Sequence, residues 1–314
     1  MQSGGRLTQA TNPESGTVSY AYDSQGNATS RTDARGVTTT YTYDALNRLT
    51  GKSYSNGTPA VSYAYDGSGH LTSIQNGNSA TNFTSFDTVG NITASSQVTA
   101  GQTYSFAYSY NLAGALTSET YPSGRVVSTA YDGAGRAATI TGNLNGQITS
   151  YITQTEYWPH GALQAYWAGN GTVPVWIYDS RLRISQNWVT IDNENTRFLY
   201  LMYPNWGTTN SNGNLQSIEI YAGGPGTMTS LPTFTTTFGY DGANRLTSAS
   251  DTGGWSRSYG YDPWGNMWVT GNSGVSPAGN TPTSDVYNGA NRINSAGYDA
   301  AGNDLTVNGD TLTY

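Results

Sequence analysis

The 314-residue chain has no cysteine at all, so disulfides, zinc knuckles and thiol catalysis drop out. Charge is almost as scarce. Asp, Glu, Lys and Arg together make up 11% of the residues, against about 25% in an average soluble domain. Among 13 basic residues a single lysine, Lys52, stands beside 12 arginines, and 20 acidic residues bring the net charge to −7. That balance leaves no electrostatic footprint for nucleic acid or for an anionic membrane. No apolar run approaches the roughly 18 residues of a membrane-spanning helix, which argues against membrane insertion. The opening Met1-Gln2-Ser3-Gly4-Gly5-Arg6 lacks the basic and apolar regions of a signal peptide. Strong helix formers are few.

The chain instead holds 39 Gly and 25 Tyr against 6 Phe, in a background of Ser, Thr, Asn and Ala. Thr and Tyr favour strands, Gly and Asn favour turns, and aromatics at 12% give a polar chain enough to bury. The composition predicts an all-β protein.

A repeat sets the architecture. An aromatic-Asp-x-x-Gly-[Arg/Asn]-Leu-Thr motif appears as Tyr43-Asp44-Ala45-Leu46-Asn47-Arg48-Leu49-Thr50 and again as Tyr65-Asp66-Gly67-Ser68-Gly69-His70-Leu71-Thr72. Counting weaker copies, its first turn position falls at 23, 44, 66, 87, 111, 132, 158, 179, 210, 241, 262, 288 and 299, most often 21 residues apart. Asp followed three residues later by Gly is the mark of a type I turn. The pattern identifies as turn residues Asp23 and Gly26, Asp44 and Asn47, Asp66 and Gly69, Asp87 and Gly90, Asp132 and Gly135, Asp241 and Asn244, Asp262 and Gly265, and Asp299 and Gly302. The fourth position is Gly in nine copies and Asn in three, with Leu182 the exception. Gly and Asn are the residues that tolerate left-handed backbone.

Before each turn the residues alternate, as in Val61-Ser62-Tyr63-Ala64-Tyr65, one face aromatic and one small, so each repeat reads as a two-stranded hairpin. Two dozen strands cannot stay in one flat sheet. The expected fold is therefore repetitive antiparallel hairpins coiled into a spiral sheet, barrel-like or a partial hollow shell. The expected organisation is one repeat domain over 1–314, regular at 15–145 and 236–314 and degenerate with longer loops at 146–235. The chain stops on Tyr314 where another Tyr-Asp would begin, as a piece of something longer would. Its terminal strands are expected to be open edges that self-associate.

The Tyr-x-Tyr-Asp-x-x-Gly-[Arg/Asn]-Leu-Thr pattern resembles the YD repeat of bacterial Rhs proteins, toxin-complex shells and teneurins. The resemblance implies a hollow β-shell, a secreted or cell-surface setting, and the remainder of the parent chain as partner, with further repeats and a C-terminal cargo or toxin domain. Rhs proteins of this kind cut themselves at a motif containing Asp-Pro-x-Gly. Here Asp262-Pro263-Trp264-Gly265 fits that string, but Arg257 stands where a proline is expected five residues earlier. Pro is also the favoured second residue of a type I turn.

Little else points to chemistry. Nine of the 15 Asp occupy the turn position. The remaining carboxylates, among them Asp33, Glu156, Asp192, Glu194 and Glu219, show no spacing that fixes a catalytic pair. His70 fills a motif slot and His160 lies in a degenerate turn, which makes neither a metal site nor a nucleophilic triad. The Asp192-Asn193-Glu194-Asn195 run lacks the glycine and terminal glutamate of a calcium loop. Catalytic residues, metal and cofactor are accordingly read as none. All eight tryptophans lie from Trp158 onward. Trp158, Trp167, Trp176, Trp206 and Trp264 are candidate stacking platforms, which keeps a carbohydrate-binding surface module with glycan partners as the alternative to a scaffold.

Overall fold

A computed structural model describes residues 2–3, 5–191, 196–207, 212–222, 233–275, 287–294, 296–307 and 310–313. They contain strands and turns with no helix. The protein is all-β, built from repetitive antiparallel hairpins, and it packs as two compact units: Met1–Gly124 with Val286–Tyr314, and Arg125–Asp285.

In the first unit, strands Gln9–Asn12, Gly16–Tyr22, Ala28–Thr32, Thr38–Tyr43, Leu49–Tyr54 and Val61–Tyr65 follow one another in an antiparallel meander. Leu71–Asn76, Ser79–Phe86, Ile92–Thr99, Gln102–Tyr110 and Leu116–Thr120 continue it. The second unit repeats the plan from Val126–Tyr131 to Met267–Ser273, each strand pairing with the next. The stretch 146–235, irregular in sequence, thus continues the same ladder wherever it is described.

Period-two alternation explains why so little is fully buried. Each strand offers an aromatic face and a small-residue face, and most side chains on both are half-buried. Only Ala165, Val173, Ala249 and Val269 form a strictly buried apolar core among the described residues, all in the second unit.

The last two motif copies differ from the rest. Asn288–Asn291 and Asp299–Gly302 keep their turns, and among the described residues beside them the pairing consists of isolated bridges, Tyr287 to Ile293 and Tyr298 to Asp304. Their 11-residue spacing leaves too few residues for two strands between them. This tail packs within the first unit. Arg292 donates to the Glu14 carbonyl, and Arg35 bridges Asp33 and Asp299 at 2.7 and 3.4 Å. The short strands Gln2–Ser3 and Arg6–Leu7 pair with each other, as do Thr306–Val307 and Asp310–Thr311. Tyr314, which motivated the open-edge expectation, lies outside the described residues, as do Asp192 to Asn195 and the motif position at 210.

Candidate functional site

The motif turns share one geometry. At Asp44 the Asn47 N–H donates to the Asp44 carbonyl (3.0 Å), and the Asp44 N–H donates to the Arg48 carbonyl (3.0 Å). The fourth residue is left-handed: φ is 59° at Asn47, 63° at Asn244, 97° at Gly69 and 77° at Gly135. Pairing slips at the preceding aromatic, between Thr42 and Tyr43 or between Ala64 and Tyr65. This is the three-residue hairpin loop in which a type I turn runs into a left-handed residue and a bulge. Asp23 with Gly26, Asp66 with Gly69, Asp87 with Gly90, Asp132 with Gly135, Asp241 with Asn244, Asp262 with Gly265 and Asp299 with Gly302 adopt the same turn. So does Trp158-Pro159-His160-Gly161, with no carboxylate.

Each motif Asp is saturated. Asp44 Oδ1 accepts from the N–H of Leu46 and Arg48, both at 2.9 Å, while Oδ2 accepts from Arg48 Nε at 2.7 Å. Where the fifth position is Asn, its carboxamide takes the guanidinium's place, as in Asn91 to Asp87 at 2.9 Å; in the third repeat His70 Nδ1 does so at 2.9 Å. Hydrogen bonds to the ionised form lower a carboxyl pKa. The Arg48 N–H, and after it the Arg48 guanidinium, hold Asp44 below its ordinary value. The same pair of groups from Arg136 lowers Asp132, and from Arg245 lowers Asp241. At Asp262 burial pushes the other way, but the bonds from Asn266 and Trp264 outweigh it and the pKa is again lowered. Its partners are those of every other motif Asp (2.9 Å to the Trp264 and Asn266 N–H, 2.6 Å to Asn266 Nδ2).

Consecutive turns are also joined, which periodicity alone did not reveal. The aromatic before one turn donates its hydroxyl to the carbonyl five residues after the first position of the previous turn: Tyr43 to Ala28 (2.9 Å), Tyr65 to Leu49 (3.0 Å), Tyr110 to Ile92 (3.0 Å), Tyr178 to Leu163 (3.1 Å) and Tyr261 to Leu246 (2.7 Å). The fifth-position cation then lies over that same ring. Arg48 is 4.5 Å from the Tyr65 centroid, Arg136 4.4 Å from Tyr157 and Arg245 4.5 Å from Tyr261. His70 stacks on Phe86 at 4.4 Å in the one motif where the aromatic has no hydroxyl. A contact of this kind contributes about 0.5–1 kcal/mol at an exposed site.

Asp33, without motif context in the sequence, proves to be another Asp-x-x-Gly turn, with the Gly36 N–H donating to its carbonyl. Its carboxylate is buried and takes both Arg35 Nε (3.0 Å) and Nη2 (2.7 Å).

The tryptophans separate into two groups. Trp158 and Trp167 meet Trp188, which the list of candidate platforms omitted, around a cleft of about 300 Å³. Pairing register brings Trp188 there: Glu156 opposes Ala165, Ala165 opposes Val175, and Val175 opposes Trp188. Trp176 points away from that row, its ring 5.9 Å from Tyr166. Trp206 donates its indole N–H to Ile184 and lies under Arg183. Trp264 projects from its turn, 71% exposed. Among the described residues no group of three His, Asp or Glu side chains could hold a metal ion.

The fold and turn ladder define a β-hairpin repeat protein of the YD type. A family model for the RHS repeat matches the chain at residues 3–37, 22–59, 110–147 and 240–281, and these stretches carry that repeat. Solved toxin-complex structures share its fold. TcdB2-TccC3 with Cdc42 superposes with a TM-score of 0.81 at 17% identity over 95% of this chain. TcdB2-TccC3 alone gives 0.81 and 17% over 99%. The Photorhabdus luminescens Tc holotoxin pore gives 0.81 and 16% over 99%. This chain spans 18% of the length of each of those chains. No curated protein matches it by sequence.

Proposed function

We propose that the chain is a non-enzymatic structural shell segment of a larger secreted or cell-surface protein, enclosing or presenting a C-terminal cargo. The observation that carries this reading is the saturation of the motif. In the turns described above, the Asp carboxylates are consumed by turn amides and fifth-position side chains, so the array's most repeated charged group is committed to holding backbone. The shared fold with toxin-complex chains supports the same reading. The partners are then further repeats and cargo of the parent chain, with self-association through terminal strands where those repeats are missing.

Limited proteolysis of the parent protein tests enclosure. A segment following Tyr314 should survive while the array is native and be degraded once the array is unfolded. Degradation of that segment beside an intact array would rule out enclosure. Reproducible hydrolysis of a glycan or peptide, lost on changing Glu156 or His160, would overturn the non-enzymatic reading. Light scattering of the 314-residue chain across concentrations should show dimers or longer stacks; a strict monomer would remove the self-association.

A further inference from the structure

We infer that the tryptophan cleft of the second unit is a binding site for a small organic cation with an alkylated ammonium head. It lies on strands Gln147–Tyr157, Leu163–Ala168, Thr172–Tyr178 and Ile184–Ile191, and the inference stands independently of the shell reading.

The floor is made of small apolar side chains, Ala165 at 4% and Val173 at 2% exposure, with Val175 beside them. The indoles of Trp158, Trp167 and Trp188 line the same cleft. The volume, about 300 Å³, falls at the lower end of small-molecule sites. Trp158 is fixed in advance: its indole N–H donates to the Trp176 carbonyl at 3.0 Å. A pre-oriented indole avoids part of the ordering cost of binding.

The polar groups select the ligand. Among the described residues the lining offers one carboxylate, Glu156, and one carboxamide, Gln164, and no Lys, Arg or His. Glu156 Oε1 accepts from the Gln154 carboxamide at 3.0 Å, a neutral partner that leaves its charge uncompensated. Three indoles and a carboxylate together favour positive charge. A primary ammonium or a sugar ring is held through directed hydrogen bonds, whereas most of this lining is apolar or aromatic. An alkylated ammonium carries its charge inside an apolar shell, demands no hydrogen bonds, and suits both the indoles and Glu156.

The test is titration of the 314-residue chain with choline and with its neutral isostere 3,3-dimethylbutan-1-ol, read by tryptophan fluorescence and calorimetry. Choline should bind saturably and about tenfold or more tighter than the isostere. Glu156→Gln, which keeps the partnership with Gln154, should remove most of that preference while leaving isostere binding unchanged. Trp167→Leu should abolish the response, and Trp264→Ala, outside the cleft, should leave it intact. Circular dichroism melts confirm that each variant is folded. Equal binding of the two probes, the absence of a saturable choline response in the folded protein, or preferential binding of a neutral oligosaccharide such as cellobiose would each overturn the inference.

Discussion

Leu182 is the one motif residue that violates the chemistry of its own turn, and replacing it should stabilise the protein. Its φ is 61°, yet it occupies the position that Gly and Asn hold in the other motif copies, and its N–H still donates to the Asp179 carbonyl at 2.9 Å. An L-residue with a full side chain in left-handed backbone costs about 1–2 kcal/mol. The side chain recovers little in return, being 58% exposed. Leu182→Asn should therefore gain about 1 kcal/mol, a rise of about 2–4 °C in Tm for a unit of this size. Leu182→Gly relieves the same strain but frees the unfolded chain by about 0.4–1 kcal/mol, so its Tm should fall between wild type and the Asn variant. Gly135, in the same unit, supplies the reverse experiment. Its φ is 77° and a Cβ there would meet nothing within 4 Å, so Gly135→Ala isolates the backbone term and should lower Tm, with Gly135→Val lowering it further. Differential scanning calorimetry of the four variants reads all these shifts. A Tm decrease for Leu182→Asn, or an increase for Gly135→Ala, would refute the account of the turn.

Removing the inter-turn hydroxyl by Tyr65→Phe or Tyr261→Phe should cost about 1 kcal/mol each and speed amide exchange in the turn before it; exchange unchanged there would show the turns to be independent. The lowered carboxyls predict acid lability. Asp44, Asp132 and Asp241 have folded pKa values below their ordinary 3.8, so their contribution is complete above that value and is lost as pH falls through the lowered ones. Tm measured against pH should be nearly flat above about pH 5 and drop steeply below about pH 4, and Asp132→Asn should flatten that drop. A Cβ at Gly302 would overlap the Glu14 carbonyl, so Gly302→Ala should detach the tail, seen as proteolysis within 287–307 while strands such as Leu49–Tyr54 stay protected.

What was legible in the sequence was local. Asp44 and Asn47 are three residues apart, and an Asp-capped type I turn closes within five, so residue identity alone specified it. The joints between turns were not legible, because Tyr65 reaches Leu49 only once the intervening hairpin has folded and set the offset. Asp33 escaped notice for a related reason: it turns the chain without the aromatic and Leu-Thr flanks that made the other copies recognisable. Trp158 and Trp167 were picked out as aromatic candidates, but their meeting with Trp188 depends on strand register across Val175, and Trp176, one residue further along its strand, was carried to the opposite face by the same alternation. Among the described residues the turn chemistry recurs at 288–302, where an 11-residue spacing leaves little chain for strands between the two turns.

The joint between neighbouring turns bears on how such a chain can change length. A turn presents a carbonyl, and in the arginine copies a cation, on one side and accepts the aromatic of its neighbour there, while presenting its own aromatic on the other. Any two motif turns are therefore compatible as neighbours, whichever copies they descend from. Loss or duplication of a whole repeat rejoins a carbonyl to a tyrosine and an arginine to a ring, and the damage is confined to nearest neighbours. A cut in mid-repeat enjoys no such protection. Copy number can thus drift by recombination in steps of about one hairpin without redesigning any single contact.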